Sequence, residues 1–265
     1  MKTMTTKELS RELQTGLKAL RMPGIRTTFQ EAADLARRES LSFERFLLTL
    51  VEQEQQSRTH NRIQRALRAS RLPLAKTLDT FDRTRLPLKI DHQLRTLLEG
   101  GFLDRKENVL AVGPTGSGKT HLLCALGREL IFQGRRVIFY SSSALVEELI
   151  RAKQDQGFPK FIRQLLRYEA LIVDGLGYVQ HSREEVEALF QLLAGRYERG
   201  SVLISSHLAF SQWEKIFHDP MTATAAVDRL VHHCVVLELN LPSYRLEIAQ
   251  RRETVGQQAP EITPP

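Results

Sequence analysis

The chain has 265 residues, of which 42% are hydrophobic and 26% are charged, a balance typical of a globular protein that buries a substantial core. No apolar run approaches the roughly eighteen residues that a membrane-spanning helix needs, and charged residues occur throughout the first twenty, so neither membrane insertion nor secretion is predicted. We therefore expect a cytoplasmic protein. Its two cysteines, Cys124 and Cys234, are too few for a disulfide framework or a zinc knuckle, and we expect buried thiols.

The net charge of +7 is concentrated in the first quarter of the chain. Residues 1–75 contain 14 Lys and Arg against 8 Asp and Glu, whereas residues 76–265 contain 24 against 23. Between residues 55 and 72 there are five arginines and no acidic residue. In a helix, Ile63 and Leu67 would point away from most of these arginines. The predicted DNA-binding residues are Arg58, Arg62, Arg65 and Arg68.

Such a stripe of positive charge suits the phosphate backbone of duplex DNA, which is bound with little sequence preference. A solvated helix surface explains the same pattern. The residues alone leave these two interpretations about equally supported.

Residues 1–72 are predicted to form a small all-helical basic module. Thr5 with Glu8, and Thr28 with Glu31, have the spacing of capping boxes, so helices are expected after Thr5 and from about Thr28. The Pro-Gly pair at 23–24 is expected to interrupt helical structure between these two helices. A third apolar helix after residue 42 is expected to precede a separate arginine-rich helix. Residues 73–106 are interpreted as a connector.

From residue 107 the pattern changes to alternating strands and helices. Apolar strands are predicted at 109–112, 136–141, 170–174, 201–206 and 234–239, with helices between them and two further helices at 210–217 and 222–231. This order predicts an α/β three-layer domain with a parallel sheet over residues 107–252. Residues 253–265 are rich in Pro and Thr and are predicted to be disordered.

One segment after the first predicted strand fits the phosphate-loop pattern G-x-x-x-x-G-K-[ST]. Glycines let the backbone curl so that successive N–H groups point at phosphates, and the following helix presents its positive end to the same oxygens. The lysine is expected to reach the β- and γ-phosphates of ATP, and the threonine hydroxyl to be a ligand of Mg²⁺. The predicted nucleotide-binding residues are Gly113, Pro114, Thr115, Gly116, Ser117, Gly118, Lys119 and Thr120.

A second magnesium ligand is predicted at Asp174, the last residue of the buried strand that begins at Ala170. Phosphate-loop enzymes commonly hold Mg²⁺ with a carboxylate at the end of a neighbouring strand. A complete strand–helix unit lies between the two motifs. This spacing favours the phosphate-loop class with an extra strand over a simple nucleoside-kinase layout.

Several later motifs closely resemble those of the IstB-like ATPases, the transposition helper proteins of bacterial insertion sequences, which are AAA+ proteins related to the DnaC helicase loader. The motifs are LGY at 176–178, RYERGS at 196–201, FSQW at 210–213, DPMT at 219–222, DRLVHH at 228–233 and SYR at 243–245. The resemblance covers nearly the whole chain. It implies a phosphate-loop NTPase (AAA+) domain preceded by the basic helical domain.

Two arginines acquire roles only through this resemblance. Arg229 matches the arginine finger that enters a neighbouring subunit's ATP site, and Arg245 matches the second sensor arginine. The residues alone favour an ion pair of Arg229 with Asp228 or Glu238, and a surface position for Arg245. The histidines at 232–233 have no partner cluster with metal spacing and are interpreted as structural.

The chain departs from the family pattern at two positions. The residue after the magnesium-binding Asp174 is usually Glu or Asp, which polarises the attacking water, but here it is Gly175. The first sensor, commonly Asn, is His207, which can still donate a hydrogen bond. Asp174, His207, Arg229 and Arg245 are the candidate catalytic residues. ATP binding is therefore predicted with slow hydrolysis, and Gly175→Glu is expected to raise turnover.

The function implied by the resemblance is that of an ATP-dependent, DNA-binding homo-oligomer that works with a transposase on target DNA and has no membrane partner. Two alternatives use the same core: a replicative helicase loader, and a nucleotide-gated DNA-binding scaffold with little hydrolysis. A small-molecule kinase is disfavoured, because no acceptor-site motif is present and the basic module would be unexplained.

Overall fold

The computed structural model describes residues 4–178, 182–208, 212–213, 230, 233–244 and 246–247. The chain divides into two compact units, Met1–Arg65 and Ala66–Pro265. None of the helices in the described ranges is long and apolar enough to span a membrane. The predicted helices at 210–217 and 222–231, and the predicted disordered tail, lie outside the described residues apart from isolated positions.

The N-terminal unit is helical. Its helices are α1 (Thr6–Ala19), α2 (Pro23–Arg38) and α3 (Phe43–Ala69), the last of which contains the boundary between the units. Its small core contains the buried residues Phe29, Ala32 and Leu50. The capping box of Thr5 and Glu8 is present as predicted.

Two predictions about these helices were wrong. Helix α2 begins at Pro23 and not near Thr28, because proline has no N–H to lose in the first turn and its fixed φ suits a helix start. Thr28 instead lies inside the helix, where its hydroxyl donates to the carbonyl oxygen of Gly24 at 3.0 Å. The third apolar helix and the arginine-rich helix are one continuous helix, α3.

The second unit contains a five-stranded parallel sheet, and its parallel strands confirm the prediction. The strand order is β2-β3-β4-β1-β5, which the sequence analysis did not assign. The strands are β1 (Asn108–Val112), β2 (Val137–Ser141), β3 (Ala170–Leu176), β4 (Ser201–Ser206) and β5 (Cys234–Glu238). Its helices are α4 (Leu88–Leu98), α5 (Gly101–Asp104), α6 (Lys119–Phe132), α7 (Ser142–Gln154), α8 (Phe158–Leu165) and α9 (Arg183–Arg196).

The central strand β3 shows how the layers form. Its alternate residues Leu171 and Val173 belong to the core that contains Leu145 of α7 and Leu189 of α9. Ile172 instead lies against α6, where a Cβ added at Gly127 would be 2.7 Å from the Ile172 side chain. Successive side chains of a strand point to opposite faces, so the sheet is covered on both faces, which explains its continuously apolar strands.

The predicted connector contains structure that the sequence analysis did not assign. Helices α4 and α5 lie within it, together with a short 3-10 helix at Arg83–Arg85. Ile90, Leu94 and Leu97 of α4 are buried. This part of the chain therefore contributes to the core of the second unit.

Both cysteines are free thiols, one buried and one half-buried. Burial raises the pKa of Cys124 and of Cys234 to about 12. Since only the thiolate is nucleophilic, neither is reactive at neutral pH.

Candidate nucleotide-binding site

The phosphate loop connects the end of β1 to the start of α6. Two of its glycines are required by close backbone approach: a Cβ at Gly113 would collide with the carbonyl of Leu239, and one at Gly116 with the side chain of Ser243. Both glycines also have positive φ, 147° and 84°. The loop is thus curled tightly under the segment that follows β5, as a backbone cradle for phosphates requires.

Lys119 and Thr120 are the first two residues of α6 and face different partners. Lys119 is only 5% exposed, and its ammonium group donates to the carbonyl oxygens of Gly113 and Pro114 at 2.8 Å each. The Thr120 hydroxyl donates to Oδ1 of Asp174 at 2.6 Å. The structure therefore brings together the two residues that the sequence analysis assigned to magnesium, although they are 54 positions apart.

These oxygens fit a magnesium site. Mg²⁺ prefers oxygen ligands and is usually held by one or two protein groups together with substrate phosphates and water, and Thr120 and Asp174 supply two oxygens beside the loop. Within the described part of the chain, no group of three or more His, Cys, Asp or Glu residues forms another candidate metal cluster.

Ser205 belongs to the site but was missed by the sequence analysis. Its hydroxyl donates to Oδ1 of Asp174 at 2.5 Å and accepts from the N–H of Gly175 at 2.8 Å. Strand β4 lies between β3 and β1, so its carboxyl end lies next to Asp174. The polar pair at 205–206, which ends an apolar strand, is the sequence signal for this residue, whereas the prediction used only the next position, His207.

A pocket of about 400 Å³ opens beside the phosphate loop. Asp174 and Gly175 of β3 and Tyr178 just beyond it line this pocket, together with connector residues including Phe81 and Arg85. The Phe81 ring lies edge-on to His121, with centroids 5.2 Å apart. Arg85 lies over the ring of Tyr244 at 5.1 Å and forms an ion pair with Glu247 at 2.8 Å.

The remaining candidate catalytic residues are less directly placed. His207 is not among the residues lining the pocket, and its ring stacks on Tyr178 with centroids 4.3 Å apart. Its buried Nδ1 has no hydrogen-bond partner among the residues that the structure describes. Arg229 and Arg245 lie outside the described residues.

Gly175 adopts a left-handed backbone with φ of 80°, and a Cβ there would be 3.1 Å from the Tyr178 ring. This geometry revises the expectation that Gly175→Glu raises turnover. We expect Gly175→Glu and Gly175→Ala each to lower the free energy of unfolding by about 1–2 kcal/mol, because an L side chain is strained in this conformation, and neither to increase phosphate release. Denaturant unfolding and a phosphate-release assay measure the two effects. Gly157→Ala is the control, since φ is −98° there and a Cβ meets nothing closer than 3.8 Å; faster turnover at unchanged stability would contradict the prediction.

The four arginines predicted to bind DNA are all exposed. Arg58 is already paired, with its Nε 2.8 Å from Oε1 of the buried Glu54. Burial by itself raises the pKa of Glu54, but hydrogen bonds from Arg58 and from the N–H groups of Ile25 and Gly24 outweigh it and lower that pKa. Glu54 therefore stays ionised and offsets the charge of Arg58.

The other three arginines keep their charge available. Arg65 donates to the carbonyl oxygen of Asn61 at 3.2 Å, and none of Arg62, Arg65 and Arg68 forms an ion pair among the described residues.

Comparisons with known proteins show which family the sequence resembles. A model of the family described as IstB-like ATP binding protein matches residues 15–253. The chain is 39% identical over 230 residues to an insertion sequence ATP-binding protein of Sinorhizobium fredii, covering 86% of this chain and 77% of that protein. It is 37% identical over 237 residues to the protein described as the IS21 ATP-binding protein of Pseudomonas aeruginosa, covering 89% of each.

Solved structures confirm the predicted fold. The DnaC helicase loader matches with a TM-score of 0.51 and 19% identity, covering 62% of this chain and 96% of that chain. AMPPCP-bound DnaA from Aquifex aeolicus matches with a TM-score of 0.55 and 19% identity, covering 72% and 59%. At these identities the likeness establishes the α/β phosphate-loop fold alone. The family match over most of the sequence goes further, and the chain belongs to the family of IstB-like ATP-binding proteins.

Proposed function

We propose that this protein is an ATP-dependent helper of insertion-sequence transposition, which binds Mg²⁺ and ATP at the phosphate loop and duplex DNA through its basic helical module. It assembles as a homo-oligomer and cooperates with a cognate transposase in the cytoplasm, where insertion-sequence DNA is found. The observation that carries the proposal is the convergence of Lys119, Thr120 and Asp174 beside one pocket.

The residues of the pocket have complementary tasks. The N–H groups of the loop and the positive end of α6 bind phosphate oxygens, and Lys119 adds a full positive charge near the β- and γ-phosphates. Thr120 and Asp174 hold magnesium, which when bound neutralises charge on those phosphates. Ser205 orients the Asp174 carboxylate by donating to it at 2.5 Å.

Assembly and transposase cooperation rest on family membership. In this proposal Arg229 of one subunit completes the ATP site of the next, so that ATP favours the oligomer. An arginine in that position stabilises charge on the transferring phosphoryl group.

One observation favours a second candidate, a nucleotide-gated DNA-binding scaffold with little hydrolysis. The acidic residues among those lining the pocket in the described ranges are Asp82 and Asp174. Asp174 is engaged by Thr120 and Ser205, and Asp82 caps the 3-10 helix by accepting from Thr84 at 3.1 Å. Both carboxylates thus already accept hydrogen bonds from the protein, and Gly175 supplies no side chain.

Phosphate release by the full-length protein with Mg-ATP, measured with and without duplex DNA, tests both candidates. Release stimulated by DNA supports the helper ATPase. ATP-dependent assembly on DNA without release supports the scaffold. Absence of nucleotide binding would contradict both.

A separate prediction concerns the arginines of the basic helical module. Replacing Arg62, Arg65 and Arg68 by alanine should weaken duplex DNA binding and reduce the slope of log K against log salt by up to about three units, because each phosphate neutralised contributes roughly 0.9. Fluorescence anisotropy at several salt concentrations measures the slope. Nucleotide affinity should be unchanged.

The matched control removes three positive charges elsewhere, through alanine at Lys89, Arg183 and Arg199, which are exposed and form no ion pair among the described residues. This variant should keep a slope close to that of the wild type. Equal effects of the two triple variants would show that net charge alone matters and would contradict a DNA site in the basic module.

A further inference from the structure

Tyr178 is folded back over the strand end that carries Asp174. Its N–H donates to the carbonyl oxygen of Gly175 at 3.3 Å, closing a tight turn in which Gly175 and Gly177 both have positive φ, 80° and 93°. The ring consequently lies against Gly175, where a Cβ would be 3.1 Å from Tyr178 Cδ2.

Two contacts fix the direction of this ring. Its hydroxyl oxygen lies 3.2 Å from the hydroxyl of Thr115 in the phosphate loop. Its face stacks on His207 with centroids 4.3 Å apart and an interplanar angle of 28°. Tyr178 is nevertheless 50% exposed and lines the pocket, whereas His207 does not.

These contacts involve Gly175 and His207, the two positions at which the chain departs from the family pattern. A larger side chain at Gly175 would compete for the space of the Tyr178 ring. The ring of His207 supplies the flat surface on which Tyr178 rests. Gly175, His207 and Tyr178 therefore form one unit, built to present a phenol hydroxyl to the phosphate loop.

The neighbours of this hydroxyl identify its target. Thr115 belongs to the loop, and Asp174 and Thr120, four and fifty-eight positions before Tyr178, mark the proposed magnesium position. Magnesium in such sites bridges the β- and γ-phosphates. A phenol hydroxyl donates one hydrogen bond, and a bond to a charged phosphate oxygen is stronger than one to a neutral group.

We propose that the Tyr178 hydroxyl contacts the terminal phosphate of bound ATP and thereby distinguishes triphosphate from diphosphate, and that His207 is a positioning residue acting through the Tyr178 ring. This inference rests on the proposed nucleotide site. It assigns Tyr178 a role that Asp174, Lys119 and the loop backbone do not fill, because those groups also face the β-phosphate that ATP and ADP share.

The test is the ratio of affinities for the non-hydrolysable analogue AMPPCP and for ADP, measured by calorimetry on the full-length protein with Mg²⁺. Tyr178→Phe keeps the ring and removes only the hydroxyl. It should weaken AMPPCP binding roughly tenfold, as loss of a hydrogen bond to a charged group does, and leave ADP affinity unchanged. Tyr168→Phe, outside the pocket, should change neither affinity.

The role of His207 is tested by a pair of variants. His207→Ala removes the stacked ring and should lower the AMPPCP-to-ADP affinity ratio in the same direction as Tyr178→Phe. His207→Phe restores a flat ring without hydrogen-bonding groups and should restore the ratio. If both His207 variants lower the ratio equally, stacking is not what His207 provides, and its positioning role is overturned.

Two results for Tyr178→Phe would overturn the main inference. An unchanged ratio would show that the hydroxyl makes no contact specific to the terminal phosphate. An equal loss of affinity for AMPPCP and ADP would mean that Tyr178 only maintains the conformation of the phosphate loop. A wild-type protein that binds neither nucleotide would instead refute the proposed nucleotide site, so the two failures are distinguishable.

Discussion

Lys119→Ala is expected to lower ATP affinity by about a hundredfold. The Lys119 residue is 5% exposed, and its ammonium is held at the loop by the carbonyl oxygens of Gly113 and Pro114. Such a preorganised, desolvated cation is worth about 3 kcal/mol toward a charged phosphate oxygen, and this corresponds to roughly two powers of ten in affinity. Calorimetry with Mg-ATP measures the loss.

Lys89→Ala is the matched control, because Lys89 is exposed on α4 and does not line the pocket. It should bind ATP as the wild type does. Lys119→Ala should also lose ATP-dependent assembly on DNA while retaining the nucleotide-independent contacts of the basic module. An ATP affinity within about threefold of the wild type would mean that the loop lysine does not meet phosphate.

The α/β core was predictable because its signals are local. Each strand of the sheet is a short apolar run, each run is followed by a helical pattern, and the loop glycines lie between β1 and α6. The position of Asp174 beside Thr120 was predictable as well, since the carboxyl ends of parallel strands meet at one edge of a sheet. The proximity of Asp174 and Thr120 therefore follows from the general geometry of parallel sheets.

The parts that sequence did not predict depend on contacts distant in the chain. Ser205 reaches Asp174 only because β4 pairs with β3. The α4 helix was assigned to a connector because its apolar residues find their partners elsewhere in the unit. The conformation of Gly175 was also inaccessible, because the sequence gives its identity but not its φ, and the φ decides whether a side chain is tolerated.

Arg196 is the clearest case of a residue whose role only the structure reveals. Its side chain is 1% exposed and donates to four backbone carbonyls, those of Leu165, Tyr168, Glu169 and Ser201. Burial lowers the pKa of Arg196 to about 10, so the guanidinium remains charged at neutral pH. The four carbonyls belong to the chain entering β3 and to the first residue of β4.

This arginine therefore fixes the entry of the two strands that carry the site. Ala170 of β3 pairs with Ser201 of β4, and the same register continues to Val173 and Ile204. Asp174 and Ser205 are the next residues and form their hydrogen bond where the ladder is interrupted by a register shift, before Leu176 pairs with Ser206. Because the regular ladder from Ala170 to Val173 determines where Asp174 emerges from β3, we expect a disturbance at Arg196 to alter the position of this carboxylate.

Arg196→Met is expected to lower the free energy of unfolding by at least about 3 kcal/mol. Methionine preserves much of the buried aliphatic volume but donates no hydrogen bond, and each buried polar group left without a partner costs roughly 1–3 kcal/mol. The carbonyls of Leu165 and Glu169 also accept backbone N–H groups, so part of the set stays satisfied. Denaturant unfolding measures the change.

Arg199→Met is the matched control, since Arg199 is exposed and lies three residues further along the same segment. It should change stability by less than about 0.5 kcal/mol. Saturating Mg-ATP should recover part of the stability lost in Arg196→Met, because a ligand that binds only the folded state stabilises it by mass action. A loss as small as that of Arg199→Met would mean that the backbone ladder alone sets the register of β3 and β4, and that Asp174 is positioned without help from Arg196.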